Sequence, residues 1–399
     1  MHIKRRTFLQ TGTLATASLL IPDFLKAFQY KPLVPPGNKV LVIIQLNGGN
    51  DGLNTVVPYR NDVYYRLRPQ LSIKKEELNR ITDDCGLHPA LQSFHRLYDE
   101  GNLAILNNVG YPNPNRSHFR SMDIWQSASD SAEYLNSGWV GRMLDEACED
   151  CIQPVSAIEI SDSLSQALKG DEIKGLALKD PRKLFHASND RYFRELAMAH
   201  HHHEHEQPVD YLYKTMSETM AGAEYIHAKS SILSTRVDYP RTALGHGMKT
   251  IAGLILSNIN TKVYYISLGS FDTHVAQQGQ QNRHLTTLND AIESFVREMK
   301  AHHRFNDVML MTFSEFGRRV AQNGSRGTDH GAANNMFFIS GGLKKQGILN
   351  ALPDLEDLDN GDLKYTIDFK SVYATMLKKW LGADDRKILR DNYRHLDFI

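Results

Sequence analysis

The sequence has few cysteines, no net charge and no long apolar run, and each shortage excludes a class of protein. Its 399 residues include 3 cysteines, too few for a domain held together by disulfides. The 46 basic and 46 acidic side chains cancel, so no overall field would attract nucleic acid or an anionic membrane. Hydrophobic residues make up 41% of the chain, which is enough for the core of a globular protein.

The amino terminus has the features of an export signal. Arg5 and Arg6 precede an uncharged stretch, Thr11–Pro22, which is shorter than the roughly 20 residues that a membrane-spanning helix needs. We therefore interpret residues 1–37 as a twin-arginine signal followed by a proline-rich linker, and expect the twin-arginine translocase to deliver the protein to the periplasm or the cell surface. An ordinary basic terminus is the alternative. Cargo of this pathway often carries a metal or cofactor loaded before export.

Apolar patterns after residue 37 predict an α/β fold. The run Val40–Leu46 ends at the glycine-rich turn N-G-G-N-D-G, which is typical of a strand buried on both faces of a parallel sheet. Leu285–His302 has its apolar residues on one helical face. Further buried strands are predicted at Leu103–Val109, Val263–Leu268, Val308–Phe313 and Met336–Ile339. We expect residues 38–399 to form a single three-layer α/β/α domain around a mostly parallel central sheet.

The stretch from about 156 to 245 departs from this plan. It has few signals of buried strands and contains the histidine-rich segment His200–Glu206. We expect a helical insertion with an exposed loop at this segment. Loose binding of a transition metal by the histidines is the alternative, since neutral imidazole is a common metal ligand.

Acidic and histidine side chains follow several predicted strands. In open α/β sheets the ligand site lies beyond the carboxyl ends of the strands, so these side chains are expected to converge. Carboxylates and imidazoles together bind one or two divalent ions such as Zn, Mn, Fe or Ca. Any single one of these acids could instead cap the helix that follows it. The candidate metal ligands are Asp51, Asp272, His274, Glu315, Asp329 and His330.

Six motifs in combination resemble the bacterial domain-of-unknown-function family 1501, which is similar to the alkaline phosphatase and sulfatase superfamily. They extend over nearly the whole of the predicted domain. The motifs are N-G-G-N-D-G-L-N-T-V-V-P from Asn47, R-S-H-F from Arg116, G-W-V-G-R from Gly138, F-D-T-H-V-A-Q from Phe271, S-E-F-G-R-R from Ser314 and G-T-D-H-G from Gly327. The resemblance implies an alkaline-phosphatase-like fold.

The resemblance also implies roles for the metal ligands. Asp51 would bind one ion, Asp272 and His274 match the Asp and His that follow a later strand and bind the other ion, and His330 matches the last histidine. Glu315 stands where the superfamily has the Asp of an Asp-His pair. Phe316 then occupies the position of the histidine, so one imidazole is missing unless His118 or Asp329 replaces it.

The resemblance implies Ser117 as the nucleophile. Its position before a predicted helix would stabilise developing negative charge, although Ser117 could simply cap that helix. His118 could be a base, a metal ligand or a bystander. Arg318 and Arg319 could bind phosphate or sulfate oxygens, or one of them could pair with Asp329.

Together these features predict an exported, metal-dependent hydrolase of phosphate or sulfate esters, acting on a small or polymeric ester. The rival hypothesis is a non-catalytic protein on a degenerate phosphatase-like fold, one that binds metal or serves in binding or assembly at the cell surface. Phe316 distinguishes the two, because the loss of a ligand would weaken a two-metal centre. A binder of glycans or sulfated polymers is a third hypothesis.

Overall fold

The computed structural model describes residues 39–147, 155–198, 207–230 and 235–399. The predicted export signal with its linker and the segment His200–Glu206 lie outside these ranges. Their predicted roles therefore stay predictions. Among the described helices, none combines the length and the apolar character needed to cross a bilayer.

A mixed sheet of nine strands forms the centre of the described part of the chain, with strand order β11-β5-β10-β9-β1-β8-β6-β7 and β14 paired to β5. Every neighbouring pair is parallel except the two that involve β10. The strands of this sheet are Val40–Leu46 (β1), Leu103–Gly110 (β5), Ala157–Glu159 (β6), Leu176–Ala177 (β7), Val263–Leu268 (β8), Val308–Phe313 (β9), Asn334–Ile339 (β10), Gly347–Ile348 (β11) and Ile367–Asp368 (β14).

Two small sheets complete the strand inventory of the described residues. The three-stranded sheet has the order β2-β4-β3, and the other is the pair β12-β13. Their strands are Val56–Val57 (β2), Asn79–Arg80 (β3), Gly86–Leu87 (β4), Leu358–Asp359 (β12) and Asp362–Leu363 (β13).

Helices cover both faces of the main sheet. Alternate residues of β1 enter different cores: Val42 and Ile44 pack in one, whereas Leu41 and Ile43 pack in the other. This produces the expected three-layer α/β/α architecture. The helices are Asp62–Leu67 (α1), Gln92–Asp99 (α2), His118–Ser127 (α3), Trp139–Glu146 (α4), Pro181–Ser188 (α5), Arg191–Met198 (α6), Gln207–Ser230 (α7), Ala243–Leu256 (α8), Gln277–Ala301 (α9), Phe369–Thr375 (α10) and Asp385–Leu389 (α11).

The described residues between about 156 and 245 are mainly helical, but they also include β6 and β7, which extend the main sheet beyond β8. The insertion itself stays a prediction. Both strands are very short, so their sequences carry too few residues to show a strand pattern. The helical excursion away from the sheet begins only at α5.

Candidate metal centre

The predicted metal-binding motifs meet at one edge of the main sheet. β8 and β9 are both parallel to β1, and Asp272 and Glu315 follow their carboxyl ends. β10 runs the other way, so its amino end lies at the same edge, and His330 precedes it. His118 begins α3, which follows the carboxyl end of β5. The reversed strand therefore brings His330 to the same place as the strand-end acids.

Asp272 lies among three histidines. Its Oδ1 atom is 3.0 Å from His274 Nε2 and 3.1 Å from His330 Nε2, and its Oδ2 atom is 3.4 Å from His118 Nε2. The ligand atoms of His118, Asp272 and His330 lie within 4.8 Å of one another. His274 adjoins them, with its Nε2 atom 3.0 Å from His330 Nε2. The Asp272 side chain is 46% exposed, so this metal cluster, as we call the four residues, is open to solvent.

Each histidine of the metal cluster is held from behind at its Nδ1 atom. The contacts are His118 Nδ1 to Glu315 Oε1 at 2.9 Å, His274 Nδ1 to Asp329 Oδ1 at 3.2 Å, and His330 Nδ1 to the carbonyl oxygen of Arg116 at 2.8 Å. A carbonyl or an ionised carboxylate can only accept, so each Nδ1 carries the hydrogen. The Nε2 atoms of the three rings are left facing Asp272.

This arrangement fits a metal ion. Metal-binding histidines commonly donate their second ring N–H to a carboxylate or a backbone carbonyl, which fixes the orientation of the ring. The Nε2 atom of His118 is buried and has no hydrogen-bond partner, as expected of an atom placed to bind something else. Three imidazole nitrogens and one carboxylate form a donor set typical of Zn²⁺ and related transition metals.

The charges around the metal cluster keep its carboxylate ionised. Partial burial raises the pKa of Asp272, but the hydrogen bond and charge of Arg318, together with the contacts to His330 and His274, outweigh this and lower it to about 2. The hydrogen bond to Glu315 raises the pKa of His118, whereas burial lowers the pKa of His330. Asp272 is thus in the charged form that a metal ligand requires.

Arg318 is buried beneath Asp272 and uses all three guanidinium nitrogens on the protein itself. Nη2 donates to Asp272 Oδ1 at 2.7 Å, Nε to the carbonyl of Gly49 at 2.7 Å, and Nη1 to the carbonyl of Thr328 at 2.9 Å. The predicted fork for a phosphate or sulfate is therefore not free. The structure instead gives Arg318 the task of positioning Asp272.

Glu315 and Asp329 lie behind histidines, not among the groups that converge on Asp272. Glu315 is fully buried, and its Oε1 atom accepts from the backbone N–H of Gly48 at 2.8 Å as well as from His118. Gly48 has φ +115°, and a Cβ atom there would lie 2.5 Å from the backbone nitrogen of Asp272. The glycine thus permits the close approach of the turns after β1 and β8.

Asp51, predicted as a metal ligand, is engaged elsewhere. It is fully buried, and its Oδ2 atom accepts from Arg68 Nη1 at 2.6 Å and from Gln277 Nε2. The side chain of Arg68 is also fully buried and pairs with Asp51 as its counter-ion. The guanidinium supplies the positive charge that the resemblance would assign to a metal ion. The group of side chains that could hold an ion, His118, Asp272 and His330, does not include Asp51, although its Oδ1 atom is buried without a hydrogen-bond partner.

Ser117 immediately precedes α3 and is exposed. It occupies the N-cap position, yet its hydroxyl makes no capping hydrogen bond, so the alternative role of helix cap is not realised. His118 cannot act as its base in this arrangement, because both ring nitrogens are directed elsewhere: Nδ1 to Glu315 and Nε2 towards Asp272.

Phe316 packs against the metal cluster without joining it. Its ring centroid is 4.9 Å from that of His118 and 4.6 Å from that of His330. His118 thus contributes an imidazole from another element, one of the two replacements considered from the sequence. Phe316 limits how far these rings can turn.

Sequence reasoning missed Arg68, Arg116 and Asp362. Arg116 contributes its carbonyl oxygen to His330 and its guanidinium to the buried carboxylate of Asp362, with 2.8 Å between Nε and Oδ2. Asp362 is far from every motif and lies in the short strand β13. No local pattern could have revealed these pairings, because each joins segments that meet only in the fold.

Known solved structures resemble this chain at low identity. The lipoteichoic acid synthase LtaP from Listeria monocytogenes is 10% identical, covering 87% of this chain and 73% of that chain, with a TM-score of 0.40. The phosphonate monoester hydrolase SpPMH from Silicibacter pomeroyi is 10% identical, covering 90% and 76%, with a TM-score of 0.41. TAB5 alkaline phosphatase is 11% identical, covering 78% and 94%, with a TM-score of 0.34.

No curated protein matches the sequence. A family model described as "Protein of unknown function (DUF1501)" matches residues 38–395, which include every residue of the metal cluster and the groups that hold its histidines. The match extends over nearly all of the predicted domain. The chain therefore belongs to the DUF1501 family.

Proposed function

We propose that this protein is an exported hydrolase of phosphate or sulfate esters that uses one divalent metal ion. The ion would be held by His118, Asp272, His274 and His330. The observation that carries the proposal is the convergence of three Nε2 atoms on Asp272 while every Nδ1 atom is bound from behind.

A divalent ion at this site would polarise an ester oxygen and favour the ionised form of a nucleophile that binds it. Asp272 would hold the ion in place, and Arg318 would fix the orientation of the Asp272 carboxylate through its buried guanidinium. Ser117 is the proposed nucleophile, because it is exposed, its hydroxyl makes no capping hydrogen bond, and it immediately precedes His118 in the sequence. The N-terminal end of α3 would favour negative charge developing there.

The donor set favours Zn²⁺, Mn²⁺ or iron over Ca²⁺. Calcium takes oxygen ligands, whereas three of the four proposed ligands are imidazoles. An ester substrate could reach the centre from solvent, since the side chains of Asp272 and His274 are both partly exposed.

Export by the twin-arginine translocase to the periplasm or cell surface is part of the proposal. A site assembled from distant segments can be loaded only after folding, and this pathway carries folded cargo. Replacing Arg5 and Arg6 by lysine should retain the protein in the cytoplasm, as measured by cell fractionation. Unchanged export of this variant would contradict the assignment.

The central experiment measures metal content and ester turnover on the same protein. We expect about one equivalent of transition metal per chain, and turnover of a generic aryl phosphate, phosphonate or sulfate ester that a chelator abolishes. His330→Ala should lose both, whereas His246→Ala, at an exposed position on α8, should keep both.

Two results would overturn the proposal in different ways. Absence of any bound metal would remove the metal centre itself. Stoichiometric metal without turnover of any of these esters would instead favour the rival function, a non-catalytic metal-binding protein, for which the packing of Phe316 against two of the histidines is the supporting observation.

A further inference from the structure

A buried carboxylate beside the metal cluster holds two arginines. Asp362 is 2% exposed, and its Oδ2 atom accepts from Arg116 Nε at 2.8 Å and from Arg116 Nη2. Its Oδ1 atom is 3.4 Å from Arg319 Nε. The arginine side chains are 43% and 38% exposed, so both guanidinium groups reach solvent. Arg116 is anchored along one edge by hydrogen bonds, whereas Arg319 forms an ion pair with Asp362 without a hydrogen bond to its Oδ1 atom. We call Arg116 and Arg319 the arginine pair and Asp362 its anchor.

The anchor leaves positive charge and donors unused. One carboxylate faces two guanidinium groups, so the three residues carry a net charge of about +1 at neutral pH when Asp362 is ionised. Arg116 Nη1 and both terminal nitrogens of Arg319 make no hydrogen bond to any residue that the structure describes. A guanidinium held along one edge keeps its remaining N–H groups in a fixed fork, the geometry that recognises carboxylate, sulfate and phosphate oxygens.

The backbones of the same two arginines are bonded to the metal cluster and its supports. The carbonyl oxygen of Arg116 accepts from His330 Nδ1 at 2.8 Å, and the N–H of Arg319 donates to the carbonyl of Asp329 at 3.0 Å. Asp329 in turn holds His274 at 3.2 Å. The arginine pair is therefore adjacent to the metal cluster, but its side chains leave the cluster for Asp362.

We propose that Arg116 and Arg319 bind a second oxyanion group of the substrate, a sulfate, phosphate or carboxylate next to the ester that is cleaved. This inference rests on the proposed function and deepens it, because it names the substrate class as esters with at least two negative groups. Arg318 cannot take this role, since its nitrogens are all used within the protein. Partly exposed donors on residues whose backbones are bonded to His330 and Asp329 would select for the second charge.

The test compares two stable probes that differ by one anionic group. Benzene-1,3-disulfonate and benzenesulfonate are titrated into the metal-loaded protein by calorimetry. We expect the disulfonate to bind at least about tenfold more tightly, the lower end of what a charged hydrogen bond contributes. In the double variant Arg116→Gln and Arg319→Gln, the two probes should bind with about the same affinity. The preference for the disulfonate should persist in Arg297→Gln, a matched change at an exposed arginine of α9.

Further measurements separate recognition from structure. Arg116→Lys and Arg319→Lys keep the charge but lose the fork, so a partial preference is expected from them. Metal content and melting temperature of every variant show whether the loop that supports His330 is intact. Equal binding of the two probes by the unmodified protein, or a preference that survives the double glutamine variant, would overturn the inference. A disulfonate preference in a protein without ester turnover would leave this site standing while the proposed function fails.

Discussion

The Nε2 atoms of His274 and His330 lie 3.0 Å apart, although each ring already donates from its Nδ1 atom to an acceptor behind it. Two neutral rings in this state would direct lone pairs at each other, which is unfavourable unless a proton or a metal ion lies between them. Asp272 Oδ1 lies 3.0 Å from His274 Nε2 and 3.1 Å from His330 Nε2 and adds negative charge at this point. A cation, either a proton or a metal ion, would therefore stabilise this contact between the two histidines.

Removing one imidazole should remove the metal. We expect His118→Ala to reduce bound transition metal from about one equivalent to well below half, because the remaining ligands form an incomplete site. Elemental analysis after dialysis against dilute chelator measures this. His246→Ala is the matched control, and equal metal content in the two variants would contradict the assignment of His118 as a ligand.

Glu315→Gln should weaken metal binding without unfolding the protein. An amide can still accept from the backbone of Gly48 but is a weaker acceptor for His118 than a carboxylate, so the imidazole becomes less basic. We expect a loss of about tenfold in metal affinity, measured by competition with a chromogenic chelator. Glu293→Gln, at a partly exposed position on α9, is the control. Unchanged affinity in Glu315→Gln would show that the contact behind His118 has no influence on the metal.

Arg68→Met should destabilise the fold while leaving the metal in place. The substitution leaves the fully buried carboxylate of Asp51 without its counter-ion, a change that costs about 3–5 kcal/mol in comparable buried pairs. Urea unfolding measures the loss. Arg60→Met breaks an exposed pair with Asp84 and should cost less than about 1 kcal/mol. A loss of metal from folded Arg68→Met protein would indicate that Asp51 contributes to the centre after all.

Stability should fall in mildly acidic solution because of His88. Burial lowers the pKa of this histidine from its usual 6.5 to about 4, so the unfolded chain takes up the proton first. The free energy of unfolding is unaffected by His88 above pH 6.5 and decreases as the pH falls towards 4. The total decrease from this residue is about 3 kcal/mol. His88→Asn keeps an acceptor for the N–H of Ala90 and should flatten the decline. Denaturant midpoints of both proteins between these pH values test this, and parallel curves would contradict it.

The sequence predicted the strands best where burial acts on both faces. Val40–Leu46, Val263–Leu268 and Val308–Phe313 have the predicted bounds, because continuous apolar runs leave few alternatives. The strand predicted at Met336 begins two residues earlier, at Asn334, and runs antiparallel to its neighbours. Direction depends on the connection between strands, which an apolar run does not encode.

Buried polar side chains explain why the start of the helix Gln277–Ala301 was not predicted from the sequence. The helix predicted from Leu285 begins at Gln277, since Gln277 and Gln281 are buried with their amides bonded to Asp51 and Asn50. From the sequence alone, a glutamine is expected at the surface, because its distant hydrogen-bond partner is unknown.

Within the site, the sequence indicated which residue types converge, but not their order around the centre. Asp272, His274 and His330 do meet, whereas Glu315 holds His118 from behind and Asp51 pairs with Arg68. Contacts between distant segments decide which acid lies among the histidines and which is buried beside them.

The opposite direction of β10 has a mechanical consequence. It brings the chain at His330 back to the chain at His118, so an ion bound by both would tie a long loop in the way a covalent crosslink does. Because the ion binds only the folded chain, its binding free energy adds to the free energy of unfolding. The metal-loaded form would then resist heat, and proteolysis between α3 and β10, better than the metal-free form.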